Sequence, residues 1–136
     1  MFQKEVAERI ISKPNTKSYG RLSIISQLRC DIDYLFPVNS KSFTPSPAID
    51  SAVLMFTPRS KVPSVTHKNR LEKIVKLAFS QRRKMLRQSL KVKYSNIQNV
   101  LEDTNINPTC RPEELTIEQF STLTNAIYDA TPSDQN

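Results

Sequence analysis

The chain has 136 residues, of which 20 are basic and 13 acidic, so its formal net charge is +7. This length allows one ordinary domain, or one small domain with part of another. Its apolar runs are much shorter than the roughly 18 to 20 residues that cross a bilayer. The charged first residues also lack the apolar core of a signal peptide. We therefore expect a soluble, cytoplasmic protein with no membrane partner.

Residues that could build a metal or cofactor site are sparse. Cys30 and Cys110 have no neighbours at metal-ligand spacing, and we expect both to be buried thiols. His67 is the only histidine and is expected to begin a helix. Gly20 is the only glycine, which excludes a loop that needs several glycines to approach a nucleotide cofactor. The sequence predicts no metal site.

Two short helices are expected first. Apolar residues at helical spacing predict one helix over 3–12. Leu22, Ile25 and Leu28 are three residues apart, which predicts a second short helix. A weak basic group lies before this helix and could be solvated or bind an anion. It comprises Lys13, Lys17 and Arg21.

Two strands are expected next, over 32–38 and 52–57, paired antiparallel across the 43–50 connection. A two-stranded hairpin alone is marginal in water, so we expect it to join a sheet that this chain does not contain. Asp50 precedes the second strand, and we expect its carboxylate to accept hydrogen bonds from nearby backbone N–H groups.

The connection between these strands carries Phe43 beside Pro45 and Pro47. Each proline removes a backbone N–H, fixes φ at about −65° and pushes the residue before it toward extended geometry. A ring on such a stiff loop would lose little entropy on stacking against a nucleic-acid base. The alternative is that Phe43 covers the end of the hydrophobic core while the prolines block strand pairing.

The rest of the chain reads as helical. Apolar residues from Leu71 to Phe79 form one stripe on a helix, and further helices are expected over 81–90 and 97–102. Thr116 and Gln119 form a capping box for a last helix. The predicted organisation is a first domain over 1–58, a linker over 59–64, a helical domain over 65–130 and a disordered tail over 131–136.

Positive charge is concentrated in residues 59–93, which hold 12 basic residues and one acidic residue. A single helix through QRRKMLRQSLK would align Arg83, Arg87 and Lys91, with Lys84 beside them. Like charges at this spacing repel by roughly a few tenths of a kcal/mol per pair, so facing anions such as RNA phosphates would stabilise the stripe. The alternative is a solvated basic helix.

Four segments, in this order and at these intervals, resemble the C-terminal part of the bacterial 16S ribosomal RNA adenine dimethyltransferases. They are QKEVAERI, YGRLSIISQL, FTPSPAIDSAV and FSQRRKMLRQSL. The resemblance implies an α/β plus all-α fold class: the C-terminal remnant of a Rossmann-like methyltransferase domain, followed by a small helical RNA-binding domain. It also implies S-adenosylmethionine as methyl donor, two adjacent adenines as acceptors and 16S rRNA in the small ribosomal subunit as partner.

The resemblance assigns roles to individual residues. It implies that Phe43 packs on the flipped-out target adenine, in a substrate loop with Thr44, Pro45 and Pro47. It also implies rRNA binding by Arg82, Arg83, Lys84 and Arg87. The charge pattern adds Lys91 and Arg21 as RNA-binding candidates.

The cofactor-binding features of that family would precede Met1. They are a glycine-rich loop, an acidic residue that holds the ribose and an Asn-Leu-Pro-Tyr segment. We therefore expect a piece of a methyltransferase that neither binds S-adenosylmethionine nor methylates alone, and that could pair with a missing N-terminal half. The alternative is a stand-alone, non-catalytic RNA-binding module.

Overall fold

The computed structural model describes residues 1–42, 44–45, 49–60 and 68–130. The chain divides into two compact units, Met1–Val62 and Pro63–Asn136, which we call the sheet unit and the helical unit. The expected helix start at His67 and the expected tail over 131–136 lie outside the described residues.

The sheet unit contains the predicted helices and strands together with one additional strand. Its elements are β1 (Phe2–Gln3), α1 (Lys4–Ile11), α2 (Arg21–Gln27), β2 (Cys30–Val38) and β3 (Ser51–Pro58). All pairs are antiparallel, and the strand order is β1-β3-β2. The prediction of a two-stranded hairpin was therefore wrong by one strand, because a two-residue strand is too short to show an alternating pattern.

The core of the sheet unit lies between α1 and one face of the sheet. Ala7 and Ile10 of α1 pack against Ala52 and Leu54 of β3. Alternate residues of a strand point to opposite faces. The other face is therefore formed by Phe36, Val53 and Met55, with Phe36 paired to Val53 in register. We call this face the open face, because Phe36 is 51% and Met55 50% exposed.

The inner side of α2 is partly polar. Ile24 and Leu28 are buried, whereas Leu22 and Ile25 are exposed. Ser23 is buried beside Ile24, where the end of α1 offers carbonyl groups without helical partners. The hydroxyl of Ser23 donates a hydrogen bond to the carbonyl of Arg9.

A second polar side chain of α2 acts on the same end of α1. The Gln27 amide nitrogen donates to the carbonyls of Ile10, at 2.7 Å, and Ser12, at 2.8 Å. The inward side of α2 thus combines hydrogen-bond donors to α1 with the buried side chain of Ile24.

Over residues 68–130, the helical unit has four helices and two short 3-10 turns, at Phe79–Gln81 and Pro112–Glu114. The helices are α3 (Lys68–Ala78), α4 (Leu86–Lys91), α5 (Ile97–Asp103) and α6 (Ile117–Ala130). The predicted capping box of α6 is confirmed. The Thr116 N–H donates to Gln119 Oε1 at 2.9 Å, and the Gln119 N–H donates to Thr116 Oγ1 at 3.1 Å.

The helix predicted over 81–90 is interrupted, and that prediction was wrong. Met85 is extended, with φ −59° and ψ 144°, and α4 begins only at Leu86. The backbone leaves the helical hydrogen-bond pattern here because the Leu86 N–H donates to the Cys110 carbonyl at 2.7 Å. Arg83 and Lys84 therefore precede the helix that carries Arg87 and Lys91.

The two cysteines are both free thiols. Cys110 is buried as predicted, whereas Cys30 is only half-buried, so the prediction for Cys30 was wrong. Burial raises the pKa of the Cys110 thiol to about 11. Within the described ranges no helix is long and apolar enough to span a membrane, and no group of three or more potential metal ligands occurs.

Candidate nucleic-acid interface

The connection between β2 and β3 is fixed at its base by Asp50. Its Oδ1 accepts a hydrogen bond from the Ser40 N–H at 2.8 Å, and its carbonyl accepts one from the Lys4 N–H at 2.9 Å. The bond from the Ser40 backbone lowers the pKa of the Asp50 carboxyl. The carboxylate thus accepts a backbone hydrogen bond, as its position predicted.

The tip of this connection is described only in part. Phe43 and Pro47 lie outside the described residues, so the stacking role of Phe43 stays a prediction. Thr44 and Pro45 are exposed and joined by a cis peptide bond.

A group of cations lies on the helical unit, and we call it the basic surface. It comprises Arg83, Lys84, Arg87 and Lys91, of which Arg87 is half-buried and the others are exposed. No acidic residue occurs between Gln81 and Lys93. Within residues 68–130, none of the four forms an ion pair. Their charge is therefore available to an external anion.

Arg82 has different surroundings from the basic surface. Its Nη2 lies 3.5 Å from Glu113 Oε2, and its guanidinium carbon lies 5.8 Å from the centre of the Phe79 ring. These contacts hold the turn after α3 against the 3-10 turn at Pro112–Glu114. Its guanidinium is thus engaged inside the helical unit.

Arg21 begins α2 and is exposed, as are Lys13 and Lys17 before it. These three cations belong to the sheet unit, whereas the basic surface belongs to the helical unit. Their exposure is compatible with either of the alternatives that their sequence left open, solvation or anion binding.

A cavity of about 360 Å³ opens between α4 and α5, next to the basic surface. Its lining residues are Arg87, Gln88, Lys91, Ser95, Ile97 and Gln98. Charge patterning predicted Arg87 and Lys91 as functional residues but missed the uncharged polar ones. Gln88, Ser95 and Gln98 follow an arginine-rich segment at scattered positions. Such polar residues are common on solvated helices, so the sequence does not single them out.

The described residues do not fit a nucleotide cofactor that is cradled by a glycine-rich loop. Such a loop needs glycines where the backbone approaches phosphates or turns tightly. Gly20 is extended, with φ −169°, and it caps the start of α2 instead, where its N–H donates to Ser23 Oγ at 3.1 Å. No glycine among the described residues has a positive φ.

Sequence comparisons relate the chain to enzymes of one kind. The family model for ribosomal RNA adenine dimethylase matches residues 1–129. The ribosomal RNA small subunit methyltransferase A of Wolbachia pipientis wMel is 46% identical over 127 residues, which cover 93% of this chain and 44% of that protein. The protein of the same name in Paramagnetospirillum magneticum is 44% identical over 127 residues, which cover 93% of this chain and 45% of that protein. The chain spans about half the length of these relatives.

Solved structures with a similar fold are also methyltransferases. A dimethyladenosine transferase from Plasmodium falciparum gives a TM-score of 0.78 at 25% identity, over 89% of this chain and 53% of that one. The 23S rRNA methyltransferase ErmE gives a TM-score of 0.57 at 22% identity, over 92% of this chain and 52% of that one. The two units described above therefore have the fold of part of a methyltransferase.

Proposed function

Because the chain belongs to the ribosomal RNA adenine dimethylase family, we propose that it is the RNA-binding part of an enzyme that dimethylates two adjacent adenines of small-subunit rRNA. The observation that carries this proposal is the basic surface, whose four cations form no ion pair within residues 68–130. The complete enzyme uses S-adenosylmethionine as methyl donor.

Phosphate groups are the anions that such a surface suits best. Neutralising them releases condensed counterions, which gives RNA binding a strong salt dependence. The planar guanidinium of an arginine can also bind two phosphate oxygens at once. We assign phosphate contacts to the basic surface, and to Arg82 a role in positioning the segment that carries Arg83 and Lys84.

The substrate loop is proposed to receive the target base. Extruding an adenine from its stack costs roughly a few kcal/mol, and stacking on an aromatic ring recovers about 1 to 3 kcal/mol of that. Phe43 would provide this ring, and Thr44, Pro45 and Pro47 would stiffen its support. The hydrogen bond from Ser40 to Asp50 fixes the base of the loop, which supports a defined position for the ring.

Residues 1–136 are proposed to be inactive by themselves. Their single glycine cannot form the cofactor loop, so the cofactor must be held by residues outside this sequence. The open face supports a partner that supplies them, since Phe36 and Met55 are half exposed there. We propose that the cofactor-binding half of the enzyme covers this face.

RNA binding can be tested with the 3′-terminal hairpin of small-subunit rRNA and fluorescence anisotropy over a series of salt concentrations. Replacing Arg83 or Arg87 with Gln is expected to weaken binding and to reduce the salt slope by roughly one unit per lost phosphate contact. Arg111→Gln is the matched control, because Arg111 is exposed but lies beside Glu113 and Glu114 rather than on the basic surface. An unchanged slope in the Arg83 and Arg87 variants would overturn the proposal.

A second candidate function is a non-catalytic RNA-binding module. It is favoured by the position of the whole basic surface in one compact unit and by the lack of fit to a cofactor. Methyl transfer separates the two functions when the cofactor-binding half of a relative is joined to this chain. Part of an enzyme would then methylate rRNA, whereas the module would bind rRNA without methyl transfer.

A further inference from the structure

The cavity between α4 and α5 combines three kinds of chemistry. Arg87 and Lys91 bring positive charge, Gln88 and Gln98 bring amides, and Ile97 provides an apolar side chain that is only 2% exposed. Its volume of about 360 Å³ lies at the lower end of the range for small-molecule sites, roughly 300 to 1,000 Å³. It thus suits one small, partly apolar anion rather than a length of duplex.

The amides distinguish this cavity from a simple phosphate site. A phosphate group accepts hydrogen bonds and needs only donors, which Arg87 and Lys91 supply. Each glutamine amide offers a donor and an acceptor side by side, the pattern that matches the edge of a nucleic-acid base. Gln98 Nε2 also lies 3.5 Å from Glu102 Oε1, a contact that favours one orientation of its amide.

We propose that this cavity binds one unpaired nucleotide of RNA, with its base between Gln88 and Gln98 and its phosphate against Arg87 and Lys91. Ile97 lines the cavity with only 2% of its surface exposed, so the base would be held chiefly by the two amides. The phosphate would relieve the repulsion between two like charges four residues apart. The inference rests on the proposed function, RNA binding by the helical unit, and deepens it. Phosphate contacts position an RNA, whereas a base contact selects among RNAs.

The site shares no residue with the substrate loop, which belongs to the sheet unit. It would bind a nucleotide that is not methylated. Its contribution would therefore be to the choice of RNA and not to the chemistry of methyl transfer.

The test uses the full chain and single-stranded RNA pentanucleotides of each of the four bases. An abasic ribose-phosphate chain with the same number of phosphates serves as the reference. We expect at least one base-bearing chain to bind roughly fivefold more tightly than the abasic chain, the effect of about one net hydrogen bond. In Gln98→Leu and in Gln88→Leu this preference is expected to be lost.

Asn99→Leu is the matched control, since Asn99 is an exposed amide on α5 that does not line the cavity. It should keep the preference for the base-bearing chain. Thermal unfolding followed by circular dichroism identifies any variant that fails to fold. If one glutamine variant fails, the other shows whether the preference for the base is lost.

The outcomes separate the two proposals. Equal, salt-dependent binding of the abasic and base-bearing chains would overturn the nucleotide site and leave RNA binding by the basic surface intact. A preference that survives in every folded glutamine variant would also overturn the site. Failure of both kinds of chain to bind at low salt would overturn the proposed function together with the site.

Discussion

Arg82 and Arg83 are neighbours with the same side chain, yet they have different environments. Arg82 contacts Glu113 and the Phe79 ring, whereas Arg83 is exposed and forms no ion pair within residues 68–130. The family resemblance implied RNA binding for both, and a sequence motif does not tell a cation with an internal partner from one without. The acidic partner lies 31 positions away in the chain.

The two arginines should therefore fail in different assays when replaced. Arg82→Gln is expected to lower the free energy of unfolding by about 1 kcal/mol, through loss of a partly exposed ion pair and a cation–π contact. Arg83→Gln should leave stability within about 0.5 kcal/mol of the wild type and reduce the salt slope of RNA binding. Chemical denaturation and anisotropy measure the two quantities. This division of roles would be wrong if Arg82→Gln reduced the salt slope while Arg83→Gln lowered the free energy of unfolding.

Two buried groups predict how stability depends on alkaline pH. Burial raises the pKa of Cys110 to about 11, and burial together with the hydrogen bond between the Tyr94 and Tyr128 hydroxyls raises the pKa of Tyr94. Both groups are neutral in the folded chain, whereas the unfolded chain ionises at about 8.5 for cysteine and 10 for tyrosine. Their contribution to stability is thus complete below about pH 8.5 and is lost as the pH rises through the folded pKa values.

Urea unfolding between pH 8 and 10.5 should therefore show a falling free energy of unfolding. In Cys110→Ala the fall between pH 9 and 10 should become shallower, because one of the two linked ionisations is removed. A free energy that does not change with pH over this interval, in the wild type, would contradict the assignment of buried neutral groups.

At the scale of the elements, periodicity predicted those helices whose apolar stripe is long and regular. The four α3 residues Leu71, Ile74, Val75 and Ala78 are fully buried, as expected. The break before α4 had no local signal, since Met85 is a good helix former. It arises from a hydrogen bond between Leu86 and Cys110, a tertiary contact that sequence pattern does not contain.

The start of α6 was predicted because its capping box is entirely local. Thr116→Ala removes the hydroxyl that accepts the Gln119 N–H, and it is expected to lower the free energy of unfolding by about 1 kcal/mol. Thr122→Ala is the control, because Thr122 is exposed on the same helix. Equal effects of the two changes on the denaturation midpoint would show that the cap contributes nothing.

At the scale of the whole molecule, the resemblance of four sequence segments to the dimethyltransferases is confirmed by the family match over residues 1–129. Local sequence pattern predicted most of the helices and strands and the segment in which the cations are concentrated. It missed β1 and the break before α4. It could not predict the polar lining of the cavity, since Gln88 and Gln98 come together only when α4 and α5 pack. We expected further strands at the edge of the sheet, whereas the open face needs another layer of structure to cover it.

The open face should make the isolated chain associate with itself. Replacing Phe36 and Met55 with Gln is expected to reduce self-association in analytical ultracentrifugation, because exposed apolar patches drive such contacts. Val92→Gln is the control, since Val92 is 84% exposed in the helical unit but stands between two lysines. If the control reduced association as much as the double variant, the open face would not be its cause.

Methyl transfer to small-subunit rRNA from labelled S-adenosylmethionine tests the central claim most directly. The assay compares residues 1–136 alone with a chimera in which the unmatched part of the Wolbachia pipientis wMel relative precedes Met1. We expect no transfer by residues 1–136 and transfer by the chimera. In the chimera, Phe43→Ala should lower the turnover more than it lowers the affinity for RNA. Transfer by residues 1–136 alone, or an equal fall of turnover and affinity in the Phe43 variant, would contradict the central claim.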